Sequence, residues 1–137
     1  MDPEIVGPGI WFVFHSIAIE CDLTLDFNFF SKVITTIIYS LKCKKCKKHA
    51  IQYITRNDPY KQINRKFLPS KYINIFHNTV NIFLKKPIYS ITESRKQYNQ
   101  ECKSCGDLKL EIKNTNVDKI ISKPKEIISD EVSYINF

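Results

Sequence analysis

Between Phe27 and Leu41, the apolar residues Phe30, Val33, Ile34, Ile37, Ile38 and Leu41 recur at helical spacing. A stripe that wide on a 3.6-residue period predicts an amphipathic helix whose face is buried in a core. It is the strongest periodic signal in the chain, and Cys43-Lys-Lys-Cys46 follows it almost at once. Any fold must therefore place a close pair of thiols where one helix ends and the next begins.

The remaining pattern extends the helical reading. Glycine is scarce, with 3 in 137 residues, and the apolar residues come in long blocks rather than short strands. Gly9 to Glu20, after Pro8, has apolar residues at 10, 13, 14 and 17, and Asp22 to Asp26 reads as a turn. A third helix is expected from Lys44 to Thr55, stopped by Arg56-Asn57-Asp58-Pro59. Gln62 to Ser70 is a basic connector, with Ser70 positioned to cap a fourth helix over Lys71–Lys85. That helix turns Ile73, Phe76, Val80, Phe83 and Leu84 inward, and Pro87 ends it. Thr92 is placed to cap a short fifth helix reaching Glu101. The expectation is an all-α four-helix bundle with a short fifth helix over residues 1–105, and a C-terminal extension over 106–137.

Charge and hydropathy narrow the function classes. The net charge of +7 invites a nucleic-acid reading, but residues 106–137 hold five lysines against six carboxylates, so the excess lies earlier. It concentrates at Lys42, Lys44, Lys45, Lys47 and Lys48, around the Cys pair, which fits local electrostatics better than a groove-tracking stripe. No secretory signal is visible, and the apolar blocks Ile10–Ile19 and Val33–Leu41 are too short and polar to span a bilayer. A soluble intracellular protein is expected.

The cysteines are Cys21, Cys43, Cys46, Cys102 and Cys105, an odd set containing two Cys-x-x-Cys pairs. In an intracellular chain such pairs point to metal binding or redox chemistry. A thiol pair opening a helix gains thiolate character from the helix N-terminus and from neighbouring ammonium groups. Four thiolates would also suit zinc, although the 55 residues between Cys46 and Cys102 exceed the usual ribbon spacing. Two ordinary surface thiols are the third reading. Thioredoxin chemistry would place the pair after a strand, and here it follows a helix; a helical redox pair needs a cofactor as electron sink.

Three segments, in order, resemble the Erv/ALR flavin-linked sulfhydryl oxidases. Gly7-Pro-Gly-Ile-Trp11-Phe-Val-Phe-His15 is similar to the family's Gly-x-x-x-Trp-x-x-x-His signature. Cys43-Lys-Lys-Cys46-Lys-Lys-His49-Ala50 resembles its redox centre, in the form used by large DNA viruses. His77-Asn78-Thr-Val80-Asn81-Ile-Phe-Leu84-Lys-Lys86-Pro87 resembles its His-Asn-x-Val-Asn-x-x-Leu-x-Lys-Pro segment. The structural disulfide common in cellular members has no cysteines here, as in viral members.

The resemblance implies FAD held between the helices by Gly7, Trp11, His15, His49, His77, Asn78, Val80, Asn81, Lys86 and Tyr89. It implies catalysis by Cys43 and Cys46, with electrons passing from protein dithiols to FAD and on to O2, giving H2O2. Cys102 and Cys105 are candidate shuttle thiols. No metal, nucleic acid or membrane is called for. The partners implied are protein dithiols, including a thioredoxin-like carrier, and a second copy in a homodimer. A viral oxidase would serve virion proteins in host cytoplasm, viral factory or virion. The alternative is a zinc-stapled nucleic-acid-binding module using Cys43, Cys46, Cys102 and Cys105.

Overall fold

A computed structural model describes residues 3–100, and these residues form an all-α fold. The helices are α1 (Pro3–Thr24), α2 (Phe27–Ser40), α3 (Lys44–Arg56), α4 (Pro59–Gln62), α5 (Pro69–Phe83) and α6 (Ile91–Tyr98). Four long helices, one turn of helix at α4 and a short last helix match the expected bundle. The boundary expected after residue 105 lies outside the described residues, as do Cys102 and Cys105.

The stripe on α2 does what its period requires. Phe30, Ile34 and Ile38 are fully buried against Phe14, Ala18 and Cys21 of α1, Ala50 and Ile54 of α3, and Tyr72, Ile73 and Phe76 of α5. Burying each large apolar side chain contributes roughly 1.5–3 kcal/mol. Asp26 caps α2, its carboxylate accepting the Phe29 N–H at 3.1 Å. The preceding Leu25 takes a left-handed conformation (φ 59°), which reverses the chain between α1 and α2.

Helix ends are where sequence and structure differ. α1 begins at Pro3, and Pro8 lies inside it. It therefore does not sit in the first turn as expected: it removes the amide that would have bonded the Glu4 carbonyl, an interruption close to the N-terminal end of the helix. The longer α1 also carries Ile5, Val6 and Leu23 beyond the apolar block, so Glu4–Thr24, with mean hydropathy 1.2, could cross a membrane by length and composition alone. Here the helix packs against α5, α6 and α2 and buries His15 and Cys21.

α5 starts two residues early, with Pro69 in its first turn and no side-chain cap. Ser70 is therefore not a cap but a buried latch. Its backbone N–H and hydroxyl both donate to the Asp22 carboxylate, at 3.0 and 2.5 Å. The Arg95 guanidinium donates to the same hydroxyl at 3.0 and 2.8 Å. One serine thus ties the end of α1 to the start of α5 and the middle of α6. The cap of α6 is Ser90, in a reciprocal capping box with Glu93, and not Thr92. Phe83 and Leu84, expected inside, are 62% and 51% exposed at the end of α5.

Removing the latch hydroxyl in Ser70→Ala takes one hydrogen bond from the part-buried Asp22 carboxylate and its contacts from the Arg95 guanidinium, leaving their own ion pair and the Ser70 N–H. We expect a loss of about 1–3 kcal/mol in denaturant unfolding. A variant as stable as the parent would contradict this role.

Candidate functional site

Lys42, Cys43, Lys45, Cys46 and Arg56 open onto a cavity of about 1510 Å³ between α1, α3 and α5. The loop from α5 to α6 closes one side with Lys86, Pro87 and Tyr89, and α6 adds Gln97 and Tyr98. This exceeds the ~300–1,000 Å³ of an ordinary small-molecule site. Gly7, Trp11, Cys43, Cys46, His49, His77, Val80, Asn81, Lys86 and Tyr89 all stand on the wall. His15 and Asn78 do not.

Their absence from the wall follows from the period of α5. Residues four apart share a face, so the polar residues of this helix divide into two rows. Ser70, Asn74 and Asn78 form one row, which holds α6 and the loop before it. Asn74 donates to the Ser94 hydroxyl at 2.7 Å and to the Tyr89 carbonyl at 3.2 Å. Asn78 donates to that carbonyl at 2.7 Å and accepts the Tyr89 N–H at 3.1 Å. Both polar atoms of Asn78 are thus committed to the loop. His77 and Asn81 form the second row, which faces the cavity.

His15 supports that second row from α1. Its Nε2 lies 3.0 Å from Nδ1 of His77, one ring donating and the other accepting. Trp11 stacks on His77 (4.0 Å between ring centres, 6° between planes), and Tyr98 stacks on His15 (4.0 Å, 1°). Burial pushes both imidazoles down to about 4; for His15 the neighbouring His77 adds to this, and for His77 the charge on Lys86 does. At neutral pH the pair is uncharged and passes one hydrogen bond between its rings.

Asn81 is 5% exposed and lines the cavity. Its backbone carbonyl is taken by the Lys86 N–H at 2.8 Å, which curls the chain after α5 so that Lys86 joins the wall. A buried amide open to a cavity, aromatic walls and four cations (Lys42, Lys45, Arg56, Lys86) against the carboxylate of Glu4 fit a flat, anionic dinucleotide such as FAD. Tyr53, stacked on Phe76 at 4.2 Å, and Tyr98 are wall aromatics that the sequence reading did not single out. Their helical spacing was the available signal: Tyr53 lies four residues after His49 and one turn from Arg56.

At the sulfurs, α3 begins with Cys43 as its N-cap, a position usually held by Ser, Thr or Asp. The Cys46 N–H donates to Cys43 Sγ at 3.3 Å. Both are free thiols. Hydrogen bonds from the Cys46 thiol and backbone hold the Cys43 pKa below its usual value, with the Lys45 N–H and ammonium assisting. Burial pushes Cys46 up, and the negative charge developing on Cys43 adds to this. The pair is therefore asymmetric in acidity, Cys43 held down and Cys46 pushed up, although both residues are half-buried. Of the five surrounding lysines, Lys45 is the one whose charge acts on both sulfurs. The others lie at or near the positive end of a helix with no acidic residue in its first turn, where their charge is unfavourable. His49 packs edge-on against Phe83 at 5.0 Å, linking α3 to the exposed tip of α5.

The histidine pair fixes a pH dependence. Unfolded imidazoles take up protons near pH 6.5, whereas the folded ones resist until about 4. The fold should lose stability as pH falls across that window. Unfolding followed by Trp11 fluorescence should show this slope, and it should flatten in H15Q/H77Q. An unchanged slope in the double variant would disprove the assignment.

A model of the Erv1/Alr family matches residues 8–99. The chain is also 30% identical over 106 residues to protein 347L of invertebrate iridescent virus 6, provisionally named an FAD-linked sulfhydryl oxidase. The match covers 72% of this chain and 96% of that protein. No solved structure matches significantly.

Proposed function

The chain belongs to the Erv1/Alr family, and on that premise we propose that this FAD-linked sulfhydryl oxidase forms disulfide bonds in protein dithiols through Cys43 and Cys46. The observation that carries the roles is the asymmetry of the two sulfurs at the start of α3.

Bound FAD supplies a two-electron sink. In the oxidised enzyme a substrate thiolate attacks Cys43, the sulfur at the start of α3; the Cys43–Cys46 bond breaks and a substrate–Cys43 disulfide forms. Cys46 leaves as a thiolate inside the cavity. The second substrate thiol then attacks the substrate sulfur, and Cys43 departs. Its low pKa makes it the better leaving group. The substrate has lost two electrons and two protons, and the enzyme holds a dithiol. Reoxidation of that dithiol closes the cycle with O2 as the final acceptor and H2O2 as product.

Around this pair, Trp11, His77 and Asn81 orient the cofactor, and Lys86 offsets its negative charge. His15 and Asn78 act one layer behind, His15 through His77 and Asn78 through the loop bearing Lys86 and Tyr89. Cys102 and Cys105 follow α6 in sequence and serve as a shuttle for protein substrates, a thioredoxin-like carrier among them. A homodimer is supported by exposed apolar residues seven apart on two packed helices, Ile5 and Phe12 on α1, and Ile75 and Ile82 on α5. The likeness to an iridescent-virus protein supports a viral oxidase acting on virion proteins in host cytoplasm or viral factory.

The purified protein should be yellow, and dithiothreitol without air should bleach it. Cys46→Ser should keep the colour and lose at least about 100-fold in turnover, since no disulfide can form with Cys43. Parent-like turnover in that variant would end the proposal. A colourless, zinc-containing protein that binds DNA with steep salt dependence would favour the zinc module instead.

A further inference from the structure

Three of the lysines around the redox pair have no part in the site as described. Lys44, Lys47 and Lys48 are absent from the cavity wall, unlike Lys42 and Lys45. Lys44 and Lys48 are exposed and one turn apart, so they share a face of α3, with the partly exposed Lys47 beside them. Neither α2 nor α3 contains an aspartate or glutamate. The ion pairs among the described residues, Lys61 with Asp58 and Arg95 with Asp22, leave these three lysines unpaired. Nor does their charge act on the sulfurs, which feel Lys45. They form a positive field beside Cys43 that stabilises neither the helix nor the thiolate.

From this we propose that Lys44, Lys47 and Lys48 are a docking surface that selects protein dithiols flanked by carboxylates. The proposal rests on the thiol-oxidase reading and names the substrate class of that same site. The position of the lysines favours this occupant. They flank Cys43, the half-buried sulfur at the start of α3, so a partner's thiol approaching it from the solvent side of α3 meets them, and charge complementarity there raises the encounter rate and rejects basic partners. The patch extends over little more than one helical turn, about 6 Å, which is too short to track a nucleic-acid backbone. At the mouth of the same cavity, Phe83 and Leu84 stand exposed beside His49, giving apolar contact to the uncharged residues of a docked segment.

The test compares two peptides carrying one Cys-x-x-Cys dithiol, flanked by glutamates or by lysines, as substrates of the full-length, FAD-loaded protein. Oxygen consumption gives kcat/KM for each, with dithiothreitol as the uncharged control. At low salt the acidic peptide should be preferred by about tenfold, and at ~0.5 M salt the preference should fall below about twofold. In K44E/K48E the preference should vanish or reverse, with dithiothreitol turnover within about twofold of the parent. An unchanged preference in the variant would overturn the docking surface, as would equal use of both peptides by a parent that oxidises dithiothreitol. Loss of salt-sensitive binding to a DNA oligonucleotide in the variant, with peptide preference intact, would assign the lysines to nucleic acid and overturn it too. Failure of the parent to oxidise any dithiol would sink the thiol-oxidase reading itself, and the docking surface with it.

Discussion

The four-residue recurrence of polar side chains along α5 is the constraint from which the site follows. A single row of polar residues could either bind a ligand or hold the neighbouring elements in place, and α5 does both because it carries two rows. Ser70, Asn74 and Asn78 hold α1, α6 and the loop between α5 and α6. His77 and Asn81 are left free to face the cavity. The Asn78–Tyr89 pairing and the Lys86 N–H on the Asn81 carbonyl shape the loop, and that loop supplies the cation and ring which complete the wall. Buried amides of this kind must be satisfied or cost free energy. Those of the first row bond to other parts of the chain, while Asn81 stands on the cavity wall.

The second determinant is the start of α3. Making Cys43 the N-cap gives its sulfur a backbone donor and the positive end of a helix, whereas Cys46, one turn on, faces the interior. Two chemically identical residues thereby acquire different acidities from position alone. Both residues are half-buried and both stand on the cavity wall. Five lysines surround the pair, but they divide as the helix turns, some onto the cavity wall and others towards solvent.

Much of this was legible in advance. The α2 stripe, the helix beginning at Lys44 and the all-α architecture depend on local period and capping chemistry, which a sequence displays directly. The site was legible as motifs, and ten of the twelve residues within 1–100 assigned to catalysis or cofactor do stand on the cavity wall. The two exceptions, His15 and Asn78, are polar residues whose hydrogen bonds go to other parts of the chain. Which face of a helix a neighbour occupies cannot be read from the helix alone. The same holds for Ser70, whose place near a helix start suits a cap, but whose hydroxyl is taken by Asp22 and Arg95 from 48 and 25 residues away. Phe83 and Leu84 keep the apolar period to its end, yet α5 stops at their level and both stay more than half exposed, with the His49 ring of α3 against one edge of Phe83.

The sequence by itself determined the helices, the thiol pair at a helix start and the family to which its motifs point, because each is written in residues a few positions apart. Tertiary structure alone decided which sulfur is the more acidic, which polar row of α5 faces the cavity and which lysines are left over. Those depend on burial and on partners distant in the chain, and burial is a property of the packed molecule.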